Sequence, residues 1–224
     1  MRYETKFSIS NLDSAKIKYI INTHPAIFNE IHYKRFVNNI YFDNLDYASF
    51  LDNIEGVNER KKIRIRWYGD LFGKCRSPVL EIKYKKGFLG WKERHALPDF
   101  KLNLKDKFDY EKIFSNLLKK KTHNLQKLKL PFLKPTLLNR YERIYYLSFD
   151  KKYRITLDSK MKFFSINPIN NYFKVFTDDE LNIVELKYDR NYRDGAIKIS
   201  NYFPFRMTKS SKYVIGLDRI KNWK

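Results

Sequence analysis

The sequence predicts an α+β protein: an antiparallel β-barrel of about eight strands forming a cationic tunnel, with a few flanking helices, as a single domain over residues 1–224. Three observations carry this expectation. Charged and apolar residues alternate with period 2 in run after run of strand length, the periodicity of a half-buried strand. The charged members of these runs are mainly Lys and Arg, so each strand pairs a cationic face with an apolar one. Gly and Pro number only 7 each while 43% of the chain is hydrophobic, which excludes low-complexity and collagen-like chains and provides a core.

The elements follow in chain order. Arg2–Ile9 is rich in β-formers and reads as a strand, and Asn11–Thr23 reads as a helix with Ser10 or Asn11 as its cap and Ile17, Ile20 and Ile21 on one face. A strand at Asn39–Phe42 precedes a short helix at Asp46–Asn53 closed by Gly56. In Arg60–Tyr68, Lys62, Arg64 and Arg66 share one face and Ile63, Ile65 and Trp67 the other. In Val79–Lys85, Glu81, Lys83 and Lys85 oppose Leu80, Ile82 and Tyr84. Trp91–Leu97 is a further strand, and a helix within Lys105–Lys127 carries Phe108, Ile113, Phe114, Leu117 and Leu118 near helical spacing, with acidic residues early and lysines late as the helix dipole prefers. A basic connector, Lys119–Lys129 and Pro131–Pro135, leads to strands at Arg140–Phe149, Tyr153–Asp158, Phe163–Ile166 and Val184–Asp189. In the second of these Arg154, Thr156 and Asp158 share a face; in the last, Glu185, Lys187 and Asp189 do.

The charge balance bounds the partners. Lys plus Arg total 46 against 25 Asp plus Glu, a formal net charge of +21, so the partner is an anion. A nucleic-acid-binding barrel is one reading, since 17 Tyr and 18 Phe could stack on bases. Trp67, Tyr84, Tyr153 and Tyr188 alternate against the cations, however, and a stacking platform needs both on one face, which argues against nucleic acid. Cys75 is alone, which excludes an internal disulfide, and His24, His32, His95 and His123 show no ligand spacing. No run approaches the roughly 18 apolar residues of a spanning helix, and MRYETKFSIS has no apolar core of a signal peptide. The expectation is a cytoplasmic protein.

Three frames of the form Glu-x-Lys stand inside predicted strands: Glu4 with Lys6, Glu81 with Lys83, and Glu185 with Lys187. Residues i and i+2 share a strand face, so each frame puts a carboxylate beside an ammonium group. Such a pair is either an ordinary solvated face or part of a site for a divalent metal and a polyanion, in which hard oxygens take the metal and cations the phosphate. For Glu81, pairing with Lys83 or Arg64 stands beside metal binding. The near absence of Ser, Thr and Gln from these faces favours a barrel interior, where crowded cations need an anion to neutralise them.

Seven segments, in order, resemble one family. RYETKF, with Lys6, is similar to a first tunnel strand; YFDNLDYASFLDNIEG to a strand and short helix; KKIRIRWYG, with Arg64 and Arg66, to an R-x-R-W-Y-G signature; EIKYKK and GWKERHAL supply Lys83 and Lys92; RYERIYY and YRITLD supply Arg143 and Arg154; VELKYD places Glu185 on a metal-binding glutamate; and MTKSSKYVIG, with Lys209 and Lys212, resembles a K-x-x-K-[FY] motif. Together they resemble the VTC domain, the catalytic domain of vacuolar transporter chaperone polyphosphate polymerases, within the triphosphate tunnel metalloenzyme (CYTH-like) superfamily. Hydrolases of that superfamily often begin E-x-E-x-K, whereas Arg2 occupies the first position here, which leans away from them.

The resemblance implies transfer of the γ-phosphate of ATP or another nucleoside triphosphate to a growing inorganic polyphosphate chain, with inorganic triphosphate or polyphosphate hydrolysis as the alternative reaction of the same fold. On it, Arg64, Arg66, Arg143 and Arg154, with Lys209 and Lys212, act on the triphosphate; Lys6, Lys83, Lys92 and Lys187 bind phosphate; and Glu185, with Glu81 and Glu4 as weaker ligands, holds Mn²⁺ or Mg²⁺. It also implies a catalytic domain standing alone, whose association with a membrane would run through a membrane-protein partner.

Overall fold

The computed structural model describes residues 2–87, 89–103, 106, 108–119, 130–166, 175–178 and 180–221. Eleven strands and five α-helices are found among them. The strands are β1 (Arg2–Ile9), β2 (Phe28–Asp43), β3 (Glu59–Tyr68), β4 (Gly73–Cys75), β5 (Val79–Lys86), β6 (Leu89–Ala96), β7 (Phe100–Leu102), β8 (Lys134–Ser148), β9 (Tyr153–Ser165), β10 (Val175–Asp178) and β11 (Asn182–Asp189). The helices are α1 (Ser14–Asn22), α2 (Ala48–Glu55), α3 (Tyr110–Leu118), α4 (Arg193–Tyr202) and α5 (Lys212–Lys221). The α+β class expected from the sequence is the one found.

Nine strands form one sheet in the order β1-β11-β9-β8-β2-β3-β5-β6, with β10 on β9; β4 and β7 pair separately. The pairs β1–β11, β11–β9, β2–β3, β3–β5, β5–β6 and β4–β7 are all antiparallel. The hydrogen-bonded path has two ends, β1 and β6, among the described residues. Contacts group the chain into two compact units: one is Met1–Phe36, Arg140–Lys162 and Thr177–Ser211, the other Val37–Asn139, Phe163–Phe176 and Lys212–Lys224.

The first unit closes over Phe7, Ile155, Leu157, Val184 and Leu186, the apolar faces of β1, β9 and β11, with Ile17 and Ile21 of α1 and Ala196 and Ile199 of α4. Asp13 caps α1, its side chain accepting from the Lys16 N–H at 2.8 Å, in place of the Ser10 or Asn11 cap the sequence suggested. The second unit packs Ile63, Ile65 and Trp67 of β3 and Leu80 and Ile82 of β5 against Ile113, Phe114 and Leu117 of α3. Helix α2 ends at Gly56, whose φ of +76° is the left-handed conformation that glycine adopts without a Cβ clash. Gly216 has a different reason: a Cβ there would lie 2.6 Å from both Leu137 and Phe163, so only glycine lets α5 approach its neighbours.

The alternating runs are strands with the expected faces, and Trp67 is wholly buried, its indole N–H donating to the Asp70 carbonyl at 2.9 Å. Strand β2 is far longer than Asn39–Phe42, because its first half, Asn29–Arg35, is exposed at every residue and so shows no alternation. The runs Tyr153–Asp158 and Phe163–Ile166 fall largely in one strand, β9. The first part of the predicted connector lies, over Lys120–Lys129, outside the described residues, as does His123, and its second part, Pro131–Pro135, is a short 3-10 turn followed by the start of β8 at Lys134. No described helix is long and apolar enough to cross a membrane.

Candidate functional site: two carboxylate and cation clusters

In the first unit, the register of β1, β11 and β9 lines up two polar rows. Glu4 stands opposite Lys187, which stands opposite Arg154; Lys6 stands opposite Glu185, which stands opposite Thr156. All six share the face turned away from Phe7, Val184 and Leu157. Lys6 pairs with Glu4 at 3.3 Å, and Lys187 with Glu185 at 3.4 Å. Glu185 is buried; desolvation opposes its ionisation, but Lys187, Lys6, a hydrogen bond with Glu4 and Arg143 outweigh it and hold its carboxyl well below the ordinary range. It is therefore a carboxylate at neutral pH. Burial pushes the Lys187 ammonium downward, against the pull of Glu185.

Arg143 of β8 adds a buried guanidinium. Its Nε and Nη2 donate to the two oxygens of Asp158 at 2.5 and 2.6 Å, a bidentate pair in which Asp158 is fully buried. Arg154 is exposed, and Lys209 lies exposed in the segment after Thr208. That segment is tied to β1: the Lys6 ammonium donates to the Ser210 carbonyl at 3.2 Å, and the Thr208 N–H to the Lys6 carbonyl at 2.8 Å.

The donor set near Glu185 suits a hard divalent cation. Two carboxylates, Glu185 and Glu4, lie on this face, opposite Lys6 and Lys187 respectively, and in register with Glu185 the buried Thr156 hydroxyl has no hydrogen-bond partner. Oxygen donors of this type fit Mg²⁺ or Mn²⁺, which take one or two carboxylates and complete their shell with water and phosphate. Among the described residues no group of three or more His, Cys, Asp or Glu is gathered, so the protein supplies only part of such a shell.

The second unit holds the other cluster, on β3, β5 and β6. Glu81, buried on β5, accepts from Arg64 Nε and Nη2 at 3.0 and 2.6 Å on one oxygen and from Arg94 Nε at 3.1 Å on the other, with Arg66 Nη1 at 3.5 Å. Burial alone would raise its pKa, but Arg64 and Arg66 hold it far below the carboxylate range. Both Glu81 oxygens are thus engaged by guanidinium groups, the pairing alternative of the sequence reading, and the carboxylate aims the arginines. Arg66 is held from the other side by Asn39, at 2.8 Å, itself bonded to Asn139 at 2.8 Å. Arg64 Nη1 donates to the Tyr41 hydroxyl at 3.2 Å. Lys83 and Lys92 stand opposite one another on β5 and β6.

Lys212 begins α5, and the next residue anchors that helix. The Tyr213 hydroxyl donates to Asp43 at 2.7 Å, and its ring stacks on Tyr41 at 5.0 Å. Asp43 also accepts from the Ser49 and Phe50 N–H groups at the start of α2, at 3.0 and 3.1 Å. The sequence reading missed Tyr41, Asn39, Arg94 and this aspartate. Only Arg94 carried a visible signal, two residues beyond Lys92 and so on the same strand face.

No curated protein matches the chain. Solved structures with similar backbones include a candidate adenylate cyclase from Vibrio parahaemolyticus, at 9% identity and TM-score 0.52 over 95% of this chain and 97% of that one. A conserved hypothetical protein from Pyrococcus furiosus is similar at 11% identity and TM-score 0.52, over 95% and 98%. At such identities the likeness shows the fold. The sequence model of the VTC domain matches residues 1–221, nearly the whole chain, in agreement with the collinear segments that place Arg64, Arg66 and Glu185 on their strands. The chain belongs to the VTC domain family.

Proposed function

We propose that the protein is a metal-dependent phosphotransferase that passes the γ-phosphate of ATP, or another nucleoside triphosphate, to a growing inorganic polyphosphate chain. The observation that carries this reading is the Glu185 and Glu4 carboxylate pair, with the unpartnered Thr156 hydroxyl in register beside it and Lys6, Lys187 and Arg143 around it, on a chain of the VTC family. Glu185 and Glu4 would hold Mn²⁺ or Mg²⁺, with Thr156 in reach of its shell. When bound, that ion neutralises charge on the phosphate oxygens. Phosphoryl transfer asks little covalent chemistry of a protein, and positioning plus charge stabilisation supply most of the acceleration. Lys6 and Lys187 neutralise phosphate beside the carboxylates, and Arg154 and Lys209 add exposed cations to the same unit. Arg143, aimed by Asp158, contributes fixed positive charge. In the other unit Arg64 and Arg66, oriented by Glu81 and Asn39, present planar donors to phosphate, with Lys83, Lys92 and Lys212 as further cations.

The deciding experiment incubates the purified protein with ATP and Mn²⁺ and resolves phosphate species on a gel stained for polyphosphate, while free phosphate is assayed in parallel. A ladder of long chains is expected. Orthophosphate without chains would make the protein a hydrolase of the same fold.

Lys92 gives this reading a pH signature. Desolvation, aided by Arg94, Arg66 and Arg64 and opposed by Glu81, lowers its pKa to about 8. An anion bound beside it favours the charged form, so tripolyphosphate binding above pH 8 takes up protons and weakens as the pH rises. Calorimetry in buffers of different ionisation enthalpy is expected to show this uptake, and Lys92→Arg, charged throughout, to remove most of it.

A further inference from the structure

We infer that the first half of β2, Phe28–Phe36, is an edge at which two copies of this chain pair as antiparallel strands, two-fold symmetric about His32. The sheet of the first unit runs β1-β11-β9-β8 and ends on this half-strand. Strand β3 bonds β2 over Val37–Phe42, so among the described residues no strand lies on the outer side of Phe28–Phe36. The inner side is held by β8, where Lys34 reaches Glu142 and His32 meets the Tyr145 ring. The outer side presents backbone N–H and C=O groups to any strand that can approach. Side chains from Asn29 to Arg35 are all exposed, Tyr33 at 96% and Ile31 at 38%. The other sheet edges do not offer this. On β1, Phe7 bridges Met207 and the Thr208 N–H donates to the Lys6 carbonyl, so the segment after α4 covers that edge. On β6, a two-fold axis about Lys92 or Glu93 would set Lys92 opposite its own copy or opposite Arg94, which is repulsive.

Symmetry and side-chain chemistry select the register. A two-fold axis that joins two antiparallel edges into one sheet stands perpendicular to it and keeps each side chain on its own face, so opposite residues have equal parity. The register that uses the whole half-strand is centred on its midpoint, His32. It sets Glu30 opposite Lys34 and Ile31 opposite Tyr33, each pair formed twice. Opposite charges and aromatic–β-branched pairs are the cross-strand combinations that stabilise a ladder. Centring on Glu30 or Lys34 places like charges opposite one another, and centring on Ile31 or Tyr33 breaks both Glu–Lys pairs. Lys34 is 4.0 Å from Glu142, which keeps Lys160 at 3.3 Å, so Lys34 can turn to the new carboxylate at little cost. The net charge of +21 opposes association, but at physiological salt charges more than about 8 Å apart are screened and the ladder itself is charge-paired. The perpendicular axis leaves the polar faces that carry Glu185 on the same side of the joined sheet. The pairing is independent of the phosphotransferase reading.

Sedimentation equilibrium over a range of chain concentrations tests this. A one-strand interface is at the small end of specific interfaces, so the wild-type chain is expected to dimerise with a Kd on the order of 10 µM. Glu30→Lys and Lys34→Glu each put like charges opposite and should weaken the dimer by about 10-fold. The exchange Glu30→Lys/Lys34→Glu re-forms both pairs with their signs reversed and restores it. Both positions are exposed, so these variants keep the fold. Cross-linking reads the register directly. Residues on the axis lie about 4.5–5.5 Å apart at Cα, within reach of a disulfide, so mild oxidation of His32→Cys is expected to give a covalent dimer. Ile31→Cys, whose two copies are offset by two residues along the strands, is expected to stay uncoupled, and Cys75 is buried and takes no part. A wild-type chain that remains a monomer up to several hundred micromolar would overturn the inference. So would a dimer indifferent to both single charge changes, a double exchange that fails to restore it, or cross-linking through Ile31→Cys as readily as through His32→Cys.

Discussion

Replacing Glu185 with glutamine is expected to lower the rate of phosphoryl transfer from ATP by a factor on the order of 100 or more and to weaken Mn²⁺ binding by roughly 10- to 100-fold. The reason is charge at one point. Glu185 is buried, ionised and faces Lys187, Lys6 and Arg143, so on the proposed function it is the residue on which a divalent cation would depend. Glutamine keeps the shape and the hydrogen bonding but gives up the negative charge. The sign of the pH dependence follows from the depressed pKa: the stability that this carboxylate contributes is present above its unfolded value and is lost only as the pH falls through its lower folded value. Neutral-pH assays therefore compare like with like. Glu4→Gln should cost less, since its side chain is 33% exposed and water can replace it. Steady-state rates with a Mn²⁺ titration followed by electron paramagnetic resonance check both variants. Glu185→Gln with unchanged metal affinity and turnover would remove the carboxylate pair from the mechanism.

Asp158→Asn is expected to cost about 3–5 kcal/mol of stability and to lower the melting temperature by roughly 6–20 °C. Asp158 is fully buried and supplies both oxygens to Arg143, which stays charged against desolvation because of it. The amide leaves a buried guanidinium without its counter-charge. Breaking such a pair is costly, while replacing both members by apolar groups of similar volume is nearly neutral. Arg143→Met/Asp158→Leu should therefore recover most of the lost stability and still fail in catalysis, because the fixed positive charge is gone. Differential scanning calorimetry separates these outcomes. A single variant melting with the wild-type chain would mean that Arg143 finds another anion and is not held by Asp158.

How much of this was legible before the fold was known varies element by element. The strand faces of β3, β5, β9 and β11 could be read because one side of each is buried and one is polar. The first half of β2 could not, since all of Asn29–Arg35 meets solvent and alternation has nothing to sort. Helices α4 and α5 each contain a glycine, Gly195 and Gly216, that local propensity counts against a helix. In α5 the glycine is there for close packing on Leu137 and Phe163, a cause that lies in a different part of the chain.

The candidate residues divide in the same way. Arg64, Arg66, Glu81, Lys83, Glu185 and Lys187 were placed on polar faces by period 2 alone, because side-chain direction along a strand is a local property of the backbone. What those groups do to one another was decided by register between distant strands. Pairing of β1 with β11 sets Lys6 opposite Glu185, pairing of β3 with β5 gives Glu81 to Arg64, and Asp158 reaches Arg143 across the turn from β8 to β9. Coulombic and hydrogen-bond energies fall off within a few ångströms. The sequence by itself therefore determined which charges share a face, and only the tertiary structure decided which carboxylate each of these cations meets across the sheet.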